Sequence, residues 1–442
     1  MESTSSCRPS ISEWISKLDS ITHLSGIQHQ FDFILVGQID NVLVNLPEAL
    51  KKNGFRNLVI GAPGMYLLDS PYIDQSITLK SRIQSRFLDE LLIDQDFLMG
   101  FTGTFLWCSD EIMKEIADRD IPLALKIKLL PTKKPEFMSI LGSKVGQDAM
   151  FQKLNIKTPD STILVSLSDG QSTFHNDKSN RVLIKGNHSG GGAFIKTVES
   201  HEHFNLQQIS AEWFPILIQD FEFGDTVSIE AFYREGSLII WMYSRMVMTT
   251  SKLGPSMVRK YEIPPIFDFI DELRRIGEAA QIDGFANTSF IWNQNKHHHT
   301  LIEFDVRPNT WHQIFLDFAI PFNEIWRTKE TLFSEMPSII EGLRYEPYRL
   351  FNFMLDHFRI FGAVGVLMGR EFKKYGKPIT SSFYDPGLKK RNLLLLTFFF
   401  LAPLRKHILK IGISLKKKFS LRLQEKIDES NLKRWMLRFL VR

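Results

Sequence analysis

The run from Leu301 to Trp311 reads LIEFDVRPNTW, with Glu303, Asp305 and Arg307 at i, i+2 and i+4. Side chains at that spacing share one face of a β-strand. In a strand these three line one surface, and Ile302, Phe304 and Val306 pack behind. Two carboxylates beside a guanidinium suit Mg²⁺ with a phosphoryl group. The hard cation takes the oxygens and the planar fork clamps phosphate. The same spacing also suits a solvent-facing strand with an ordinary ion pair, so the rest of the chain has to decide.

A second stretch, RVLIKGNHSGGGAFIK from Arg181 to Lys196, puts Lys185 on a strand ahead of Gly190, Gly191 and Gly192. A glycine loop between two strands lets backbone N–H groups close over phosphates, and a plain hairpin turn is the alternative. His297, His298 and His299 sit in a connection between two strand-like runs. Adjacent side chains on a turn do not converge on one ion, so a solvated hairpin tip is expected there.

The elements that would position these residues read as α/β. Phe31–Gly37 is an apolar strand, a helical stripe follows through Leu43, Leu46 and Leu50, and Leu58 opens the next strand. Short apolar strands of this kind belong to parallel sheets. Gly37-Gln-Ile-Asp is not the glycine fingerprint of a dinucleotide-binding turn, so NAD is not inferred. Another strand is expected around Gly100, then a helix from Asp110 with acids in its first turn, where the helix dipole favours them. Pro122, Pro131 and Pro135 mark a domain boundary. Beyond it the pattern gives a helix from about 145 to Asn155. Strands around Lys185, Pro215 and Leu238 follow, then a helix over Asp268–Ala280 and strands at Ser289 and Thr300.

At 442 residues, two to three domains are expected. With 43% hydrophobic and 24% charged residues the chain is a folded one. Cys7 and Cys108 supply neither a disulfide framework nor a cysteine metal site, which fits a reducing compartment. The N-terminal MESTSSCRPS lacks the cationic start and apolar run of a secretory signal, so a cytoplasmic location is expected. The net charge of +4 conceals an asymmetry: from Leu388 onward the chain carries a net +12, which leaves the body at −8. The basic character belongs to the tail, and nucleic acid is not an expected partner. The uncharged run from Asn392 is about twelve residues, short of the ~20 that span a bilayer. The basic tail can lie on an anionic membrane at its inner face, pack on the acidic body, or form a homodimer contact.

Taken in order, the features resemble the ATP-grasp superfamily. They are a lysine after a domain linker, a strand lysine with a glycine loop, an apolar strand ending in Gln-acid-aromatic, and a late E-x-D-x-R strand. The resemblance spans roughly residues 30 to 315. Its lead-in SDEIMKEIADRDIP is similar to the segment before the first lysine in carbamoyl-phosphate-synthase-like members. It implies that Lys144 and Lys185 lie on nucleotide phosphates and that Gly190, Gly191 and Gly192 cover them. It gives Gln219, Asp220 and Phe221 the hinge that holds adenine, and Glu303 and Asp305 the Mg²⁺, Asp305 standing where many members have Asn. Arg307 falls on the transferred phosphoryl group, and Arg245 is either a ligand for the substrate carboxylate or a surface arginine. The chain departs from the pattern twice. Ser289 stands where a metal carboxylate is usual. Thr226, with Asp225 beside it, stands where a ribose-binding acid is usual.

The implied fold is α/β: an ATP-grasp fold with an N-terminal Rossmann-like pre-ATP-grasp domain and a C-terminal helical appendage. The expected division is an extension over 1–30, the pre-ATP-grasp domain over 31–135, and a small lid subdomain over 136–222. A large subdomain over 223–345 and a basic helical region over 346–442 complete it. The implied reaction is ATP-dependent ligation. A carboxylate is activated as an acyl-phosphate and joined to an amine, releasing ADP and phosphate. The alternative is a degenerate member that binds nucleotide or serves as a membrane-associated scaffold.

Overall fold

The computed structural model describes residues 30–378 apart from 39–41, 44–45, 167–172, 176–180, 189–193, 201–202, 318–322, 324–340, 358, 360–361 and 364–374. The extension before residue 30, Gly190–Gly192 and the basic tail lie outside the described residues.

Strands β1 (Phe33–Gly37) and β2 (Asn57–Gly61) are apolar runs, joined through helix α1 (Leu46–Lys52). With β3 (Gln75–Thr78) and β4 (Thr104–Trp107) they form a parallel sheet in the order β3-β2-β1-β4. Every residue of β1, β2 and β4 is buried, as two covered faces require. Helices α2 (Gln84–Leu91) and α3 (Gln95–Gly100) precede β4, so the segment before Gly100 is helical and the expected strand starts four residues later. Helix α4 (Asp110–Asp118) follows. Ser109 caps it, Oγ accepting from Ile112 N at 3.3 Å, with Asp110 and Glu111 in the first turn.

After α5 (Leu123–Leu129), residues 131–133 strap this sheet to the largest one. Thr132 Oγ1 and Lys133 N donate to Ala280 O at 2.8 and 3.2 Å, and Asp283 N donates to Pro131 O at 2.8 Å. Lys133 Nζ turns back onto the carbonyls of Leu130 and Ile127, and burial pushes its ammonium down to about 8.

Helix α6 (Lys144–Lys153) opens on Ser143, whose Oγ accepts from Gly146 N at 2.9 Å. Gly146 is needed there, since a Cβ would meet Ser139 O at 1.9 Å. Strands β5 (Ser161–Leu164), β7 (Val182–Gly186), β8 (Ile195–Val198) and β10 (Ile216–Asp220) form an antiparallel sheet ordered β5-β10-β7-β8. β6 (Thr173–His175) and β9 (His203–Asn205) form a separate antiparallel pair.

The third sheet has seven strands in the order β15-β14-β11-β12-β13-β16-β17. These are β11 (Asp225–Arg234), β12 (Ser237–Thr249), β13 (Ser256–Tyr261), β14 (Gly284–Asn293), β15 (His298–Asp305), β16 (Gly342–Tyr345) and β17 (Lys377–Pro378). Positive φ at Glu235 and Gly236 makes the tight turn between β11 and β12. Helix α7 (Phe269–Ala280) covers one face, with Phe269 against Tyr243 and Phe290.

The histidine run is not the solvated tip that its polarity suggests. The tip ends at His297, and β15 starts at His298. His299 is buried: its Nδ1 lies 2.5 Å from Asp268 Oδ1, its backbone N donates to Asp268 Oδ2 at 2.9 Å, and its ring packs on Phe269 and Trp292. Among the described residues no helix is long and apolar enough to cross a membrane.

Candidate active site

Strand register decides which face carries the chemistry. Glu303 lies opposite Ser289, Ser289 opposite Ser228, and Ser228 opposite Ser244. Asp305 lies opposite Asn287, which is opposite Glu230. Alternation therefore puts all of these on the face away from α7. That face is polar yet buried. Glu230, fully buried, is ion-paired with Arg259 and accepts from Asn287 Nδ2, Ser228 Oγ and Tyr261 OH at 3.0, 3.1 and 3.4 Å. The Arg259 guanidinium lies 4.3 Å over the Trp311 ring and gives its Nε–H to Ser256 Oγ. Sequence reasoning missed this cluster. Its signal is the alternation Ser228-Ile-Glu230-Ala, matched across the sheet by Asn287-Thr-Ser289.

Four segments meet at the end of this face. Lys144, first residue of α6, reaches Glu303 with Nζ 3.4 Å from Oε1. Arg307 gives Nε–H to Asp110 Oδ2 at 2.5 Å and an Nη2–H to Asp305 Oδ2 at 3.0 Å. Asp110 was legible in the sequence only as a helix-start acid. Burial opposes charge on Glu303, but Lys144, Lys185 and Arg307 together hold its carboxyl below the usual range. Arg307 is raised, because Asp110 and Asp305 outweigh its burial.

Lys185 points from β7 into the gap between the small sheet and the large one. Its Nζ donates to Gln219 Oε1 at 2.5 Å, and burial pushes it down to about 8. Asn187 joins this strand to α6. Its Oδ1 accepts from Ser143 Oγ at 2.8 Å and Val145 N at 3.0 Å, and its carbonyl accepts from Lys144 N at 3.1 Å. His188 Nδ1 donates to Gly142 O at 2.7 Å while its Nε2 accepts from Asn187 Nδ2 at 2.9 Å. Phe304 N donates to Gln147 Oε1 at 3.1 Å, which ties β15 to α6.

Arg245 and Asp225 are not brought to this cluster. Arg245 follows Tyr243 by two positions and so shares the α7 face, where it pairs with Asp225 at 3.3 Å and Glu262 at 3.2 Å. Asp225 and Arg245 thus bond each other across the sheet from Glu303, while Thr226 alternates onto the Glu303 face. Gln219 and Asp220 end β10; Asp220 N donates to Asp160 O and Phe221 N to Arg181 O. The Phe221 ring lies 4.9 Å under the Arg181 guanidinium. Gly190, Gly191 and Gly192 lie outside the described residues.

Two spaces adjoin the cluster. A cleft of about 410 Å³ runs from Lys144, Ser143 and Asp305 along the wall of α4, past Asp110, Lys114 and Glu115. A gap of about 10 Å³ lies between the small and large sheets, against Lys185, Gln219, Leu217 and Leu301. The second holds about one water, so anything larger enters only if the small sheet moves off the large one.

Among the described residues no three His, Cys, Asp or Glu side chains gather as a metal cage. Glu303 and Asp305 supply two hard oxygen donors, and Mg²⁺ commonly takes one or two carboxylates with phosphate oxygens. Burial pushes the Asp305 carboxyl up; Arg307 opposes the rise and the Glu303 and Asp110 carboxylates add to it. A divalent cation relieves such crowding, so the donor set fits.

No family model matches the sequence, and no characterised protein matches it in sequence. Solved structures do. The biotin carboxylase domain of Hydrogenobacter thermophilus 2-oxoglutarate carboxylase, in complex with MgADP, ADP and bicarbonate, superposes with a TM-score of 0.51. Identity is 13%, over 71% of this chain and 73% of that one. This chain has an ATP-grasp fold. At 13% identity the ATP-grasp likeness is one of fold. A Campylobacter jejuni biotin carboxylase aligns at 13% identity and TM-score 0.49, over 70% of this chain and 72% of that one. A Bacillus licheniformis L-amino acid ligase aligns at 12% identity and TM-score 0.45, over 62% and 66%.

Proposed function

We propose that this ATP-grasp protein is an ATP-dependent ligase that activates a carboxylate as an acyl-phosphate and joins it to an amine, releasing ADP and phosphate. The observation that carries the reading is the convergence of Lys144, Glu303, Asp305 and Arg307 in one cluster, whose Lys144 and Asp305 line a cleft and which has Lys185 buried nearby. Residues 31–135 act as the Rossmann-like pre-ATP-grasp domain, 136–222 as the lid and 223–345 as the large subdomain.

In this reading Lys144 and Lys185 neutralise nucleotide phosphates, and Lys185 exchanges its bond with Gln219 for a phosphate oxygen as the lid rises. Gln219, Asp220 and Phe221 form the adenine hinge. Glu303 and Asp305 hold Mg²⁺, which supplies charge neutralisation on the phosphate oxygens. Arg307 steadies the transferred phosphoryl group, and the acceptor approaches through the cleft along α4. The protein's part is alignment and charge compensation rather than a covalent intermediate.

The test is ADP release, measured while candidate carboxylates and amines are supplied in pairs. Release that needs both substrates and falls at least a hundredfold in Glu303→Gln supports the ligase. Nucleotide-binding without turnover is the competing reading, motivated by the Ser289 hydroxyl opposite Glu303. Mg²⁺·ATP binding with no substrate pair releasing ADP would favour it.

A further inference from the structure

We infer that Asp110, from the parallel-sheet unit, is the positioning residue that orients Arg307 beside the cleft. The inference rests on the proposed role of Arg307 toward the terminal phosphoryl group of ATP. The two residues are 197 positions apart, yet Asp110 Oδ2 accepts the Arg307 Nε–H at 2.5 Å. This contact fixes the inner edge of the guanidinium. Asp305 takes one Nη2–H at 3.0 Å and the Pro308 carbonyl one Nη1–H at 3.4 Å. A guanidinium has five N–H donors, so each terminal nitrogen keeps one beyond these contacts. Anchored at Nε, the planar group keeps donors for phosphoryl oxygens.

Asp110 is itself held from two sides. Helix α4 starts on it, behind the Ser109 cap. The turn before α6 closes over its backbone at Gly142, where φ is +63° and a Cβ would lie 3.0 Å from Asp110 O. The same Gly142 gives its carbonyl to His188. The carboxylate that orients Arg307 is therefore fixed jointly by the parallel sheet and by the segment that leads into Lys144. Asp110 and Asp305, the two carboxylates that hold Arg307, both line the 410 Å³ cleft, so the arginine is anchored directly behind its wall.

The experiment compares Mg²⁺·ATP with Mg²⁺·ADP by titration calorimetry on the full chain, for wild type, Arg307→Gln, Asp110→Asn and Asp110→Glu. Arg307 acts on the terminal phosphoryl group, so its loss lowers ATP affinity about tenfold and leaves ADP affinity within twofold. Asp110→Asn, nearly the same shape, is expected to reproduce that selective loss, and Asp110→Glu to recover most of it. If Asp110→Asn keeps the wild-type preference for ATP while Arg307→Gln loses it, the inference is wrong and the nucleotide site stands. Equal losses for ATP and ADP make Asp110 a structural staple and also overturn it. If wild type binds neither nucleotide, the ligase reading falls and this inference with it.

Discussion

Lys185 and Gln219 bond each other inside the gap between the small and large sheets, Nζ to Oε1 at 2.5 Å. Lys185 is 6% exposed, and burial is the main influence on its proton. Gln219→Leu removes the acceptor and leaves the charge buried, which costs about 1–3 kcal/mol. The melting temperature without ligand should fall by several degrees. An unchanged melting temperature would show that the bond does not carry the buried charge.

On its proposed phosphate-binding role, the same lysine gives nucleotide binding a pH dependence of defined sign. Burial lowers its folded pKa to about 8, so the cation is fully present below that value and is lost as pH rises through it. ATP affinity should decline between pH 7 and 9 in wild type. In Lys185→Arg, charged throughout, the decline should disappear even if affinity at pH 7 is lower. Calorimetric titration at three pH values decides it.

Glu272 gives a stability effect unrelated to ligand. One carboxylate oxygen accepts from Lys157 N at 3.2 Å, the other is buried without a hydrogen bond, and burial pushes the group up to about 7 from 4.5. Below 4.5 it is protonated folded or unfolded, and above about 7 it is ionised in both. Between these values the folded state holds a proton that the unfolded state releases, so stability falls as pH rises. Glu272→Gln should match wild type near pH 4 and exceed it by about 2 kcal/mol at pH 8. Urea midpoints at the two pH values measure it, and a difference that does not change with pH contradicts the assignment.

Glu230 and Arg259 form a buried ion pair beneath Trp311. Glu230→Gln strands the guanidinium and should cost about 3–5 kcal/mol, whereas the double change with Arg259→Met should recover much of the loss. Denaturant unfolding of the single and double variants tests the coupling. Additive losses would mean that the pair is not a unit.

These pairs also show what the sequence discloses and what it hides. Strands β1, β2, β14 and β15 are legible because burial selects continuous or alternating apolar residues. Glu303 and Asp305 share a face because a strand repeats every two residues, whereas Arg307 lies past the end of β15, so its place beside them comes from its bonds to Asp110 and Asp305. Glu230 is hidden because a carboxylate in a strand reads as solvent-facing until its arginine, 29 positions on, is brought against it. Asp110 reads as a helix-start acid, since nothing local points to Arg307. The histidine run misleads for a related reason: His299 alternates inward once β15 begins at His298, and Asp268 satisfies it. The roles of Lys144, Lys185 and the hinge come from resemblance rather than from any periodicity.

The strap at residues 131–133 has a consequence for how the protein works as a machine. It pins the parallel sheet to the end of α7 and the start of β14 through Thr132, Lys133 and Asp283. On the proposed lid reading, those two blocks form a single anvil and the small sheet carrying Lys185 is the part with a stroke. Under hydrogen exchange, the amides of Lys133 and Asp283 should be among the slow exchangers, and those around the small sheet should open first.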